Sequence, residues 1–267
     1  MVKMKNSIDD NVKRILIPRR NGEKLVGLFY TSKNTENKKI VILVHGFPGD
    51  KIENGRFPIL ANELTKEGID VLAYDLPGYG ENKREPILLS KQIESVEDVC
   101  IWAENIGYKS IGTLGLSIGG PSTLFADISN RKAAVFWAPA FNIPRYLVLF
   151  SKVLLKIRFF ISKKPMKFRN KKHPKIFVPF EFFNEIQQMI PIKTNEKLQQ
   201  FQIPTLILQG TTDPIIRPKY HKKVLKLLPD SIPKQLILIK FAGHNFKGKK
   251  LMQFNKYTVD FFKKYLI

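Results

Sequence analysis

The chain has 267 residues, with 45 Lys and Arg against 23 Asp and Glu, giving a formal charge of +22 at neutral pH. Hydrophobic residues make up 43%, enough to bury a substantial core, which argues against intrinsic disorder. A single cysteine, Cys100, excludes an internal disulfide framework and any cysteine-built metal site.

Met1 to Arg14 is polar and charged, without the apolar segment of a signal peptide. No apolar run approaches the roughly 20 residues that a spanning helix needs. The expectation is a cytoplasmic protein. Val12 to Pro18 and Lys24 to Tyr30 are β-rich runs around Asn21-Gly22, which predicts an antiparallel hairpin. Lys39 to Val44 and Asp70 to Tyr74 read as strands buried on both faces. Phe57 to Glu67 between them is helical. Ser90 to Asn105 reads as a helix with Ser90 as N-cap. Ser110 to Leu116 is a strand, Ser117 to Ala126 a helix and Ala133 to Trp137 a strand. Pro204 to Gln209 and Gln235 to Ile239 are strands flanking the helical stretch Lys219 to Leu228. Lys250 to Tyr265 is the last helix.

This alternation predicts an α/β fold: a mostly parallel central sheet with helices on both faces. The core comprises residues 1–140 and 201–267. Residues 141–200 break the rhythm and form a basic, aromatic-rich insertion, expected to be a helical cap.

Gly115-Leu116-Ser117-Ile118-Gly119-Gly120 is G-x-S-x-G between a strand and a helix, the context that gives the pattern meaning. A tight turn there holds a serine hydroxyl clear of the sheet end, and the helix behind it aims free N–H groups at the reacting centre. A glycine-rich turn with a helix-capping serine is the plainer alternative. His45-Gly46-Phe47-Pro48-Gly49 follows the first buried strand. Its Phe47 N–H, paired with that of Ile118, could hold an oxyanion. His45 and the Asp75-Leu76-Pro77-Gly78-Tyr79-Gly80 turn read as structural.

Asp213 lies in Gly210-Thr211-Thr212-Asp213-Pro214, after a strand and on the rim where α/β sites form. Asp-Pro also favours a plain turn. Asp127, at a helix end, and Asp75 compete for the acid role. Of the four histidines, His173 in the insertion and His221 on a surface-type helix read as solvated. His244, in Ala242-Gly243-His244 after the last strand, is the best general base.

The order Ser117, Asp213, His244 is the one α/β-hydrolases use, and Asp75 sits too early for it. With HGFPG at 45–49, DLPGYG at 75–80, GLSIGG at 115–120, GTTDP at 210–214 and AGH at 242–244, the sequence resembles the α/β-hydrolase superfamily over nearly its whole length. Phe136-Trp137-Ala138-Pro139-Ala140, before the insertion, resembles the capped serine esterase and acylglycerol-lipase-like branch. In the family a serine often follows DLPGYG, whereas Glu81-Asn82 stand here. The resemblance implies a Ser117–His244–Asp213 triad, an oxyanion hole at Phe47 and Ile118, a small-molecule ester substrate, and no cofactor or metal. It leaves amide or peptide cleavage open. A non-catalytic protein holding lipid or a partner on the basic insertion is the competing class.

Residues 152–175 hold ten Lys and Arg and no acid. At helical spacing Arg145, Lys152, Lys156 and Lys163 form one stripe, with Leu149, Phe150, Val153 and Leu154 among the apolar remainder. The stretch reads as a lid helix. Weak contact with an anionic membrane surface is the second reading. Phe150, Phe177, Phe180 and Met189 are candidates to line an acyl pocket, or to form the insertion's own core. The surplus charge could also attract nucleic acid. No zinc-finger spacing or aromatic-flanked RNA-binding signature supports that partner, and the sequence does not fix an oligomeric state.

Overall fold

The computed structural model describes residues 11–33, 38–143, 149, 153, 166–168 and 176–266. Val12–Pro18 (β1) and Lys24–Tyr30 (β2) pair antiparallel around Gly22, which takes φ 83°. Lys39–Val44 (β3), Asp70–Tyr74 (β4), Ser110–Leu116 (β5) and Arg131–Trp137 (β6) follow. Met166–Phe168 (β7) and Ile176–Val178 (β8) form a separate antiparallel ribbon. Thr205–Gly210 (β9) and Lys234–Ile239 (β10) complete the main sheet. Its order is β1-β2-β4-β3-β5-β6-β9-β10, parallel from β4 onward.

Strand β3 shows why both faces are covered. Its side chains alternate with period two. Ile40, Ile42 and Val44 join a cluster with Val96, Val99 and Ala103 of Leu89–Asn105. Val41 and Leu43 join another with Leu60 and Leu64 of Arg56–Lys66, and with Phe254 and Phe262 of Lys249–Tyr265. In chain order the α-helices whose bounds fall on described residues are α1 (Arg56–Lys66), α2 (Leu89–Asn105), α3 (Gly119–Phe125), α4 (Phe180–Gln188), α5 (Thr194–Gln199), α6 (Lys219–Leu227) and α7 (Lys249–Tyr265).

The start of α2 differs from the sequence expectation. Leu88 is the N-cap, and Ser90 sits inside the first turn. The orphan amides of that turn are met by a carboxylate from α4. Glu185 Oε2 accepts from Leu89 N at 2.6 Å and Ser90 N at 3.2 Å, and Glu185 Oε1 accepts from Ser90 Oγ at 2.6 Å. A carboxylate is favoured there by the helix dipole. This contact ties α4 to the core.

Between β6 and β9 the described residues include the β7–β8 ribbon as well as helices. Phe150 and most of the basic stretch 152–175 lie outside the described residues. Leu149 and Val153 are helical and exposed. Among the described residues, no helix is long and apolar enough to cross a membrane.

Candidate active site

Ser117 sits in the turn between β5 and α3 with φ 52°. That left-handed conformation is costly for a residue with a Cβ and marks stored strain. The turn is pinned by Ser117 N donating to Trp137 O at 2.9 Å, and by Ala140 N and Gly120 N donating to Ser117 O. Its tightness also explains two glycines. A Cβ on Gly115 would lie 2.5 Å from Gly119 O, and one on Gly119 would lie 2.5 Å from Val44 O.

His244 follows β10 and reaches back across the sheet end. Its Nε2 lies 3.2 Å from Ser117 Oγ and its Nδ1 lies 2.8 Å from Asp213 Oδ2. Asp213 is buried in the turn after β9. Burial alone would raise its carboxyl, but the His244 hydrogen bond and charge, the Ile216 N–H and Gln209 outweigh that and hold it below the usual carboxylate range. Oδ1 accepts from Ile215 N and Ile216 N at 2.9 Å each, and Oδ2 accepts from Gln209 Nε2 at 3.0 Å. The carboxylate is thereby fixed in orientation. Gln209, the penultimate residue of β9, did not stand out in the sequence.

The loop after β3 backs directly onto the serine turn. A Cβ on Gly46 would lie 3.2 Å from Ser117 Cβ. Gly46 N donates to Glu53 Oε1 at 2.6 Å, so this amide is committed. Of the expected donors, Phe47 lies on the β3 loop and bounds the same cavity as Ser117, and Ile118 is the N-cap of α3, next to Ser117 in the chain. Glu53 is itself buried and pairs through Oε2 with Arg56 at 2.7 Å. The Arg56 guanidinium lies 5.1 Å from the centre of the Phe246 ring, two residues beyond His244. Sequence reading missed both Glu53 and Arg56.

His45 and Asp75 are structural, as expected. His45 Nε2 accepts from Leu76 N at 2.9 Å, which places its proton on Nδ1, 2.8 Å from Gly46 O. Asp75 accepts from Lys51 N, Lys51 Nζ and Glu81 N. Glu81 and Asn82, where the family often has serine, build the turn. Glu81 pairs with Lys51, and Asn82 Oδ1 accepts from Val26 N at 2.8 Å. Asp127 is exposed at the end of α3.

The expectation for His221 is corrected. It is 1% exposed and neither ring nitrogen has a hydrogen-bond partner, so it is buried rather than solvated. His221 and Val224 share the inner face of α6, with buried Leu228 just past its end, while the neighbouring lysines are exposed. His173 lies outside the described residues.

A cavity of about 70 Å³ adjoins Ser117, bounded by Phe47, Glu53, Arg56, Leu116, His244 and Asn245 among others. Phe177, Phe180 and Met189 do not line it. Phe177 is half-buried in the β7–β8 ribbon and accepts from Ile87 N, Phe180 opens α4, and Met189 packs against the core. The Phe182 ring lies 6.3 Å from that of Phe47, which bounds the cavity. Among the described residues, no group of three His, Cys, Asp or Glu could hold a metal.

A family model described as serine aminopeptidase, S33 matches residues 35–248. The chain belongs to that family of α/β-hydrolases. As an S33 member it is also similar to Lipase 1 of Psychrobacter immobilis, at 24% identity over 90% of this chain and 80% of the relative. Est1E of Butyrivibrio proteoclasticus, with ferulic acid bound, superposes with TM-score 0.74 at 21% identity, over 94% of this chain and 98% of that one. An esterase of Pyrococcus furiosus does so with TM-score 0.72 at 18% identity, over 96% and 92%. The S33 protein thus shares its fold with esterases and a measure of sequence likeness with a lipase.

Proposed function

We propose that the protein cleaves carboxylic esters of small-to-medium acyl groups through Ser117, His244 and Asp213 and an acyl-enzyme intermediate. The observation that carries this reading is the continuous relay from Asp213 Oδ2 through both His244 nitrogens to Ser117 Oγ, at 2.8 and 3.2 Å. Ser117 Oγ attacks the acyl carbon while His244 Nε2 takes its proton. The carbonyl π pair moves to oxygen, where the Phe47 and Ile118 N–H groups receive it. Each such donor is worth about 3 kcal/mol in related chemistry. The C–O bond to the alcohol then breaks, and His244 returns the proton to the leaving oxygen. A water deprotonated by the same nitrogen releases the acid and restores Ser117. Asp213 keeps the proton on Nδ1 and stabilises the imidazolium.

A second reading follows from the family model's description, which names aminopeptidases. The same relay serves amide cleavage. Hydrolysis of a p-nitrophenyl ester series, acetyl to long acyl, and of aminoacyl p-nitroanilides by wild type and Ser117→Ala separates the two. Ester turnover lost in the variant supports the proposal. Turnover of anilides alone favours the second reading. Ester turnover equal in wild type and Ser117→Ala would reject Ser117 as nucleophile.

A further inference from the structure

The positive charge is unevenly placed. Residues 1–140 hold 19 Lys and Arg against 17 acids and are close to neutral. Residues 201–267 hold 13 against three, and those three acids are engaged. Asp213 faces His244, Asp230 pairs with Lys234 and Asp260 pairs with Lys256. Among the described residues, Lys222, Lys223, Lys240, Lys247 and Lys249 have no carboxylate partner, and all are exposed. The half of the sheet that supplies Asp213 and His244 is therefore the strongly basic half.

Apolar tips project from the same rim. Phe241 is 79% exposed, and its φ is 59°. A bulky residue in that conformation is a true outlier, and here the strain presents a phenyl ring to water instead of burying it. Lys250 Nζ lies 5.8 Å from the centre of that ring. Ile215, two residues after Asp213, is 52% exposed. The two loops are fastened together. Phe241 N donates to Thr211 Oγ1 at 2.9 Å, and Thr212 donates to Ala242 O through both N and Oγ1 at 3.0 Å. The rim is one stitched unit carrying both tips.

We propose that this rim, Ile215 and Phe241 set among the unpaired lysines of residues 217–250, docks on an anionic phospholipid surface. Lysines meet the headgroups while the phenyl and aliphatic tips enter the boundary with the acyl chains. A nucleic acid would also meet the charge, and its bases could stack on Phe241. An aliphatic tip such as Ile215 gives no stacking platform, which favours lipid. The inference does not require that the protein hydrolyse esters, and it differs from contact through the 152–175 stretch.

The test is flotation of the full chain with vesicles of pure phosphatidylcholine, or with about a third phosphatidylglycerol, at low salt and at about 0.5 M salt. Binding to the anionic vesicles only, weakened at least tenfold by salt, is expected. Each lysine near such a surface is worth about fivefold in partitioning, so Lys240→Gln, Lys247→Gln and Lys249→Gln together should weaken binding about a hundredfold. Phe241→Ala should weaken it about tenfold. Circular dichroism and the rate on a soluble short-chain ester should be unchanged in both variants, which separates lost docking from misfolding. Equal binding to both vesicle types, or to neither, overturns the proposal. So does anionic binding that survives both variants, because another basic segment would then be responsible. Binding of an oligonucleotide that needs the lysines, with no vesicle binding, would replace lipid by nucleic acid.

Discussion

Glu53 Oε1 accepts the backbone N–H of Gly46 at 2.6 Å, and this contact helps to hold the loop that faces Ser117. The same carboxylate holds Arg56, which lies over Phe246, so one buried ion pair touches both the β3 loop and the His244 loop. Removing one partner of a buried pair leaves the other charged and unmatched, at a cost of about 3–5 kcal/mol. Glu53→Gln keeps an oxygen for Gly46 but turns N–H groups toward Arg56. Urea unfolding should show a loss of about 3 kcal/mol. Ester turnover at saturation should fall about tenfold or more if, as proposed, Phe47 N–H holds the oxyanion, because the loop that carries it would shift. A variant that loses stability but keeps full kcat would show that the pair does not position the loop.

His221 makes the second case. Burial pushes its imidazole down from 6.5 to about 4, although the Asp213 charge pulls the other way. The unfolded chain therefore binds the extra proton at higher pH than the folded one. This contribution to stability is complete above about pH 6.5 and is lost as pH falls toward 4, on the order of 3 kcal/mol in total. With neither nitrogen partnered, the ring gains little from its polarity. His221→Leu should match wild type at pH 7 within about 1 kcal/mol and should flatten the stability profile between pH 6.5 and 4. Denaturant melts at three pH values give the answer. Equal slopes in the two proteins would mean that His221 is protonated in the folded state.

What the sequence revealed follows the same physics. Strands such as Lys39–Val44 were legible because a strand covered on both faces must be apolar nearly throughout. The Ser117 turn was legible because close backbone approach leaves no room for a Cβ at Gly115 or Gly119. His221 was misread because Lys222 and Lys223 dominate its neighbourhood, yet Val224 and Leu228 at helical spacing mark its face as the inner one. Glu53 could not be recognised. Its partner amide is seven residues away through an irregular loop, and no periodicity encodes such a contact. The β7–β8 ribbon has three residues per strand, too few to establish an alternation. The Glu185 cap on α2 crosses 95 residues of sequence and was equally invisible.

Cys100 offers an intrinsic reporter. It is buried, and burial pushes its thiol up to about 12. A thiol so held is neither exposed nor ionised at neutral pH, which are the two conditions for reactivity. The native protein should leave an aromatic disulfide reagent unreacted over the time in which the denatured chain reacts fully. Residual labelling should then follow opening of the α2 layer and rise with urea. Rapid stoichiometric labelling without denaturant would show that α2 does not cover the thiol.

The serine turn itself can be tested through two glycines that differ only in surroundings. A Cβ on Gly119 would meet Val44 O at 2.5 Å and His45 O at 2.6 Å, both backbone atoms where β3 ends and its loop begins. Neither can yield without moving the β3 loop away from Ser117. Gly243, beside His244, has only Thr212 O within 4 Å, at 3.9 Å, an ordinary contact. Gly119→Ala should therefore cost at least about 3 kcal/mol or yield insoluble protein, while Gly243→Ala should fold with a melting temperature close to wild type. The Gly243 variant should also keep ester turnover within a few-fold, since adjacency to His244 alone imposes no steric demand. A soluble Gly119→Ala protein with normal stability and full labelling of Ser117 by a serine-directed phosphonate would mean that the turn is looser than its geometry implies.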